Sequence, residues 1–571
     1  MRYVALATDY DGTLASHGTV AEETLKVLRQ VLASGRKLVL VTGRHLPDLR
    51  NVFPQLDLFQ SVVAENGALL YRPGTRQERL LSEPPPDVFL RTLLDRNVPF
   101  SAGRGIVATW EPHQDEVLKV IRDLGLELQV IFNKGAVMVL PSGVNKATGL
   151  KAALDELCIS PHNVVGIGDA ENDHALLAAC ECGIAVANAL PFLQERADVV
   201  TQGRNGAGVS EIAEKLLADD LAEFDKKLKR HVLVLGQQVD DSRQEVRVHP
   251  ARNSILVTGP SASGKSTVVA GLIEQLAAQG YQFCLIDPEG DYEDFAGALT
   301  LGTAKERPDV RAVLKALESP HQSVVVSLLG IPVSERPPFF SSLLAGIQDL
   351  RIRTARPHWL VIDEAHHLLP SSRSPASSTM PQALEGTIMV TVHADHVSPA
   401  ALTPVNIVIA VGQFPRQSFQ AFATTKHVAV PMHGDIELKT GEALLWFQED
   451  GAAPIHVRTL PGTEDRKRHL RLYAAGELSP EQSFYFRGAE NKLNLRAQNL
   501  IMFLQLADGV DDETWSYHLR NGDYSRWLQK TVKDSELAAN VSRIEQDEHL
   551  SAKESRARIR EIIESRYTAP A

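Results

Sequence analysis

Four cysteines in 571 residues, Cys158, Cys180, Cys182 and Cys284, are too few and too irregularly spaced for a disulfide framework. Cys180-Glu181-Cys182 lacks the second pair that a zinc site needs, so all four read as buried thiols of a reducing compartment. Long apolar runs are missing too. None approaches the roughly 18 residues of a membrane span, and a strand pattern bearing polar catalytic side chains starts almost at Met1. These two absences predict a soluble, cytoplasmic protein without membrane partners. An excess of basic charge is the third absence: 59 Lys and Arg stand against 71 Asp and Glu, for a formal net charge of −12. That excludes a chain coating nucleic acid by bulk charge and leaves only local basic stripes for such a role.

The chain is too long for one core, since a domain usually takes roughly 100–200 residues. Tyr3 to Ala7 is a short apolar run ending in Asp9-Tyr10-Asp11-Gly12-Thr13, and Ala21 to Leu32 follows with helical spacing. The alternation recurs at Lys37 to Val41 before Thr42-Gly43-Arg44, at Val164 to Ile167 before Gly168-Asp169, and at Gly183 to Val186 before Ala187-Asn188. It predicts a Rossmann-like parallel α/β sheet whose loops gather at the carboxyl edge, where open sheets bind ligands.

Two carboxylates one residue apart at a strand end suit phosphoryl transfer. Asp9 is the candidate nucleophile, forming an aspartyl-phosphate, and Asp11 the acid that protonates the leaving oxygen and then activates water. Their crowding calls for Mg²⁺, with Asp169 as a third oxygen ligand and Asp173 binding or orienting the same ion. Thr42 offers a hydroxyl to phosphoryl oxygens, and Lys146 a positive charge. Taken with Glu65-Asn66-Gly67, Gly168-Asp169-Ala170-Glu171-Asn172-Asp173 and Ala185-Val186-Ala187-Asn188-Ala189, these motifs resemble the haloacid dehalogenase superfamily of phosphohydrolases, in its Cof-type branch. The resemblance covers about residues 1–217. It implies metal ligation by Asp9, Asp11, Asp169 and Asp173, and phosphate binding by Thr42, Gly43, Lys146 and Asn172. It also implies a substrate-selecting α/β cap at about 82–141, with helices at Asp87 to Leu94 and Gln114 to Leu124 and strands at Gly105 to Thr109 and Ala136 to Leu140. A lid of that size suits a small phosphorylated metabolite, typically a sugar phosphate. Arg104, His113 and Lys134 are the cap residues with substrate-binding chemistry, although isolated cap charges are more often simply solvated.

Residues 218–244 read as a linker, in which Lys226-Lys227-Leu228-Lys229-Arg230 is a solvated helix face. Ser254 to Thr258 then leads into Gly259-Pro260-Ser261-Ala262-Ser263-Gly264-Lys265-Ser266, with Thr267 to Ala277 continuing as a helix. Strand, glycine loop and helix in this order are the setting of a P-loop. Backbone N–H groups from Gly259 to Thr267, Ser263 and Gly264 among them, cradle phosphates; Lys265 reaches the β/γ bridge and Ser266 ligates Mg²⁺. Trp359 to Ile362 ends in Asp363-Glu364, which supplies a magnesium partner and a residue to polarise water. ATP is the expected ligand and hydrolysis the expected reaction. Leu285 to Tyr292, Asp363-Glu364-Ala365-His366 and Thr391-Val392-His393 resemble the corresponding segments of HerA/FtsK-like ATPases over about residues 245–450, with Gly441 to Phe447 as a closing strand. That likeness brings a homo-oligomer into view as a partner, with Arg416 as the arginine reaching a neighbouring subunit. The short interval from Arg230 to Ser254 and the acidic chain speak against DNA pumping. Arg351-Ile352-Arg353 and Arg466-Lys467-Arg468 need no role beyond surface charge.

With the P-loop domain spanning 245–460, residues 461–571 form a polar, helical third domain without a catalytic constellation. Helical spacing appears at Leu493 to Leu506, Ser535 to Val541 and Arg543 to Tyr567, and Tyr524 and Trp527 fit a small core. The expected whole is a phosphoric monoester hydrolase joined to an ATPase. The alternatives are a nucleic-acid machine with an end-trimming or nucleotide phosphatase, a bifunctional kinase and phosphatase, and a nucleotide sensor acting on the cap.

Overall fold

The computed structural model describes residues 1–566 apart from 229, 242, 262, 294, 372–384, 432–435, 449–452, 461, 463–477, 479–481, 533–534 and 548. Lys229, Ala262 and Arg466-Lys467-Arg468 therefore lie outside the described residues. The chain forms two compact units, Met1–Gly462 and Thr463–Ala571. No helix among the described residues is long and apolar enough to cross a membrane.

The first unit holds two large α/β sheets and the smaller sheet of the cap. Strands Val199–Val200, Cys182–Ala185, Val164–Gly168, Ala5–Thr8, Lys37–Val41 and Ser61–Ala64 lie side by side and parallel, and Leu69–Arg72 and Gln77–Leu80 extend the sheet antiparallel. The central strands are covered on both faces, which is why Ala-Leu-Ala-Thr and Lys-Leu-Val-Leu-Val read as nearly unbroken apolar runs. Their carboxyl ends release Asp9, Thr42 and Asp169 at one edge. Above that edge the cap folds as a four-stranded antiparallel sheet in the order Ser101–Ala102, Val107–Trp110, Ala136–Pro141, Leu128–Asn133, backed by helices Asp87–Asp95 and Gln114–Asp123. Its own small core contains Phe89, Leu93, Val117, Val120 and Val139.

The second sheet has 11 strands. Ser254–Thr258 sits between Thr387–Thr391 and Ile407–Val411, and Trp359–Ile362 follows one strand further out, beside Phe283–Asp287. The stretch read as a linker is not one: Leu233–Gln238 pairs with Glu245–Val248 and with Ile455–Arg458 at the antiparallel end of this sheet. Arg230 is not on a solvated face either. Its guanidinium donates to the carbonyls of Leu177 and Glu181 and pairs with Asp198. Arg351 is likewise structural, donating to the carbonyls of Pro357 and Glu385, with burial lowering its pKa to about 10.

Polar side chains join the two α/β domains inside this unit. Glu181, 2 % exposed, accepts from Arg2 at 2.7 Å and from the Tyr281 hydroxyl at 2.9 Å, and lies 2.7 Å from His162 Nδ1. The other His162 nitrogen faces the Gln279 carbonyl at 2.8 Å, and its ring stacks on Tyr281 at 3.7 Å. Arg356, fully buried, donates to the carbonyls of Cys158 and Glu318, both at 3.1 Å. Buried charges of this kind are stable only while their partners remain.

The C-terminal unit is a helical domain with one short hairpin, Phe484–Phe486 with Leu495–Ala497. The expected helix at Leu493 to Leu506 is shifted to Leu500–Gly509, where the Asn499 side chain caps it by accepting from Met502 N. Helix Ser535–Glu545 covers the expected Ser535 to Val541 and takes in Arg543, so the helix expected from Arg543 starts only at Ala552, as Ala552–Arg566; Tyr567 lies outside the described residues. Tyr524 stacks on Trp515 at 4.5 Å and donates to its carbonyl, while the Trp527 indole donates to Gln482. These rings are core, with their polar atoms satisfied.

Glu181→Ala would take the anion from the buried His162 and leave Arg2 with Asp225 alone. A cost of about 3–5 kcal/mol is expected, read as a lowered first transition in differential scanning calorimetry of the full chain. The exposed pair Lys315–Glu318 is the control, and breaking it is expected to leave that transition in place.

Candidate functional site

The strand ending at Thr8 hands over to a tight turn. Gly12 has φ +82°, and a Cβ there would collide with Asp169 and lie 2.9 Å from Lys134 Nζ, so only glycine lets the loop close over the acids. Asn188, which had no role assigned from the sequence, donates to the Gly12 carbonyl at 2.7 Å and accepts from Asn205 N. Asp9 is 4 % exposed, and Asp169 and Asp173 are fully buried; one carboxylate oxygen from each lies within 4.8 Å of the other two.

Lys146 opens the helix Lys146–Leu157, whose start is fixed by a capping box between Asn145 and Thr148. Gly67 permits this: at φ +108° it packs against the Asn145 carbonyl with no room for a side chain. The Lys146 ammonium, 1 % exposed, donates to Asp9 and to Asp173, each at 2.6 Å. The second Asp173 oxygen accepts from the backbone N–H groups of Asp169 and Ala170, which holds the acidic loop in shape. Burial, then Asp173, pushes the Asp9 carboxyl up to about 8 against the pull of Lys146. Three crowded acids face two ammonium groups, Lys146 on Asp9 and Asp173 and Lys134 on Asp169, and so stay short of positive charge; an all-oxygen donor set of this kind fits Mg²⁺.

Asp11 departs from its expected place. Its carboxylate turns away from the other three and accepts a two-pronged bond from Arg44, Nε at 2.6 Å and Nη2 at 2.7 Å, so it does not contribute to the carboxylate cluster. The fork geometry of the guanidinium is a better partner for an exposed carboxylate than three more anions. Thr42 is fully buried at its strand end, with its hydroxyl accepting from Arg44 N. Gly43 lies near Asn172, which donates to Asn66 at 3.0 Å. Glu65, also without a role from the sequence, accepts from the backbone of Arg104 and Gly105 and so ties the cap to the core. Of the three cap candidates, Lys134 reaches the acids, pairing with Asp169. Arg104 pairs with Glu78 instead, and His113 stands at the start of Gln114–Asp123.

The second site is built on Ser254–Thr258. Gly259 and Gly264 bend the loop at φ +154° and +97°, and the helix Lys265–Ala278 starts directly behind it. The Lys265 ammonium donates to the carbonyls of Gly259 at 3.0 Å and Pro260 at 2.9 Å. The hydroxyls of Ser263 and Ser266 are buried with no hydrogen-bond partner among the described residues, as suits donors waiting for phosphate or its metal. Thr267 N donates to Gly264 O within the first helical turn.

Asp363 is fully buried at the end of Trp359–Ile362, and Glu364 follows in the left-handed region at φ +43°. His366 Nδ1 lies 3.4 Å from Glu364 Oε2 and 3.2 Å from Thr391 Oγ1, so the strand between the loop and the acidic pair is linked to both. Burial and the neighbouring His367 lower the His366 pKa to about 4. Asp287 is structural: its carboxylate accepts from the backbone N–H groups of Glu289, Gly290, Asp291 and Tyr292. Arg416 lies in the first turn of Pro415–Lys426.

A family model for haloacid dehalogenase-like hydrolases matches residues 6–103 and 107–212. Three curated archaeal relatives align over the same region. Phosphoglycolate phosphatase 2 of Saccharolobus solfataricus is 29 % identical over 38 % of this chain and 95 % of its own length. The phosphoglycolate phosphatase of Methanothermobacter thermautotrophicus is 31 % identical over 37 % and 98 %, and that of Methanopyrus kandleri 30 % over 37 % and 96 %. Through its N-terminal domain the chain belongs to the haloacid dehalogenase-like hydrolase family. An AAA ATPase domain model matches residues 236–390, which hold the glycine loop and the acidic pair. This haloacid dehalogenase-like hydrolase is therefore fused to an AAA-type P-loop domain, and the relatives' similarity accounts for the first domain alone.

Because Asp9 is costlier to ionise in the folded state than in the unfolded one, its contribution to stability falls as pH rises from about 4 towards about 8. Calorimetry of the metal-free protein is expected to show a falling first midpoint over pH 5–8, with Mg²⁺ raising it most at the alkaline end. A profile insensitive to both would rule out crowded carboxylates as the cause. Lys265→Ala is expected to lower ATP turnover by about 100-fold in a coupled assay, with phosphate-ester hydrolysis unaffected.

Proposed function

We propose that the N-terminal domain is a Mg²⁺-dependent phosphatase of a small phosphorylated metabolite, joined to a domain that hydrolyses ATP. The observation that carries the first part is the Lys146 bridge between Asp9 and Asp173 within one buried group of three carboxylates. Asp9, Asp169 and Asp173 would hold the metal, which supplies positive charge against the phosphoryl oxygens when bound. Asp9 then attacks phosphorus in line, while Lys146 and the Thr42 hydroxyl offset the charge that builds up on its oxygens. Asp11 donates its proton to the leaving oxygen after its carboxyl turns from Arg44, and in the second half accepts one from the water that cleaves the aspartyl-phosphate. Gly43 and Asn172 complete the phosphate cradle. The cap, tied down through Glu65, keeps bulk water out.

In the ATPase domain, Lys265, Ser266 and the loop backbone would hold the triphosphate, Asp363 its Mg²⁺, and Glu364 the attacking water, with Thr391 and His366 reporting the occupied state. The strand Thr387–Thr391 lies between the P-loop strand and the Asp363-Glu364 strand, an order that suits AAA-type and HerA/FtsK-like ATPases alike. The relatives' names put phosphoglycolate first among substrates, ahead of the sugar phosphates suggested by the cap's size.

Phosphate release from phosphoglycolate, sugar phosphates, nucleotides and phosphate-ended oligonucleotides is the test, with and without ATP. Release from a small monoester, reduced at least about 1,000-fold by Asp9→Asn with ATP turnover intact, is the expected outcome. Preference for oligonucleotide ends would overturn it.

A further inference from the structure

The cap sends one side chain into the catalytic acids, and its geometry is built rather than incidental. Leu128–Asn133 and Ala136–Pro141 pair antiparallel, with Asn133 opposite Ala136, so the hairpin turns through only Lys134 and Gly135. Both take positive φ, +49° and +84°, as a two-residue turn of this hand requires. Glycine meets that demand freely, whereas lysine is an uncommon residue there, and such conformations collect at functional positions. The turn carries Lys134 over Gly12, where its ammonium pairs with the Asp169 oxygen that Thr13 does not occupy.

Two cations thus flank the same acids on different terms. Lys146 comes from the core, is 1 % exposed, and holds Asp9 and Asp173. Lys134 comes from the cap and its side chain is 46 % exposed, so it is not a charge the fold needs buried. Arg44, the other basic group at the mouth, already pairs with Asp11 and Asp48. A metal ion on Asp169 would displace the Lys134 ammonium from it and leave that ammonium on the cap side of the phosphoryl group, where the leaving group lies. A lysine is a point charge that can swing between two anions as a guanidinium fork cannot.

Resting on the phosphatase reading above, we propose that Lys134 is a specificity-determining residue that selects substrates whose leaving group carries a carboxylate. It exchanges Asp169 for the substrate's carboxylate as metal and substrate bind. The preference for phosphoglycolate over glycerol 1-phosphate, a neutral leaving group of similar size, then depends on this one charge.

The experiment compares the wild-type full chain with Lys134→Met and Lys134→Arg. The ratio of kcat/KM for phosphoglycolate to that for glycerol 1-phosphate is expected to fall at least tenfold in Lys134→Met, mainly through KM, and to recover in part in Lys134→Arg. Isothermal titration without substrate is expected to show Mg²⁺ binding Lys134→Met about fivefold more tightly, since a competing cation is gone. A lysine that merely holds the cap shut would change both substrates alike, so an unchanged ratio in an active enzyme overturns this assignment and leaves the phosphatase reading standing. Unaltered Mg²⁺ affinity would overturn the exchange at Asp169. No phosphate release from either monoester by wild type would overturn the phosphatase reading and this proposal with it.

Discussion

The N-terminal domain is organised around a shortage of positive charge. Asp9, Asp169 and Asp173 are packed close together beneath the surface, and burial makes the Asp9 and Asp169 anions expensive. Lys146 meets only part of the demand. Its position in turn depends on the Asn145 capping box, on the lack of a side chain at Gly67, and on Asp173 bracing the loop that carries Asp169. Catalytic capacity and folding cost therefore reside in the same atoms. A site that folded with its charges fully matched would have no place for a metal or a phosphoryl group.

The P-loop domain also buries two acids, Asp363 and Glu364, but its loop adds donors: the Ser263 and Ser266 hydroxyls and the Lys265 ammonium, which the loop's own carbonyls occupy. Both sites are shells built for the charge of a ligand rather than for internal satisfaction. Between the two domains lies the reverse case. Glu181, Arg2, His162 and Tyr281 form a buried network whose members pair with one another and join two α/β sheets.

Much of this was legible from residue order. Parallel strands were readable because burial on both faces leaves runs such as Lys-Leu-Val-Leu-Val, and the acidic motifs stood out because Asp9 and Asp169 each follow a strand directly. The cap strand Leu128–Asn133 was missed, since its turn uses Lys134-Gly135 rather than an Asn-Gly signal. The linker reading of 218–244 failed for a related reason: an edge strand such as Leu233–Gln238 draws its stability from distant partners, here Ile455–Arg458, which local composition does not reveal.

By itself the sequence determined the family of the first domain and the P-loop of the second, because the paired acids after the first strand, the glycine loop and the later acidic runs are each specified by residue type at fixed short spacing. Tertiary structure alone decided how those groups divide the work. It turned Asp11 towards Arg44, gave Asn188 and Glu65 positions as braces, and brought Lys134 from the cap to Asp169, 35 residues away in sequence. Charge pairing across such separations depends on distances and burial that only the packed sheet and cap create, and no local pattern encodes them.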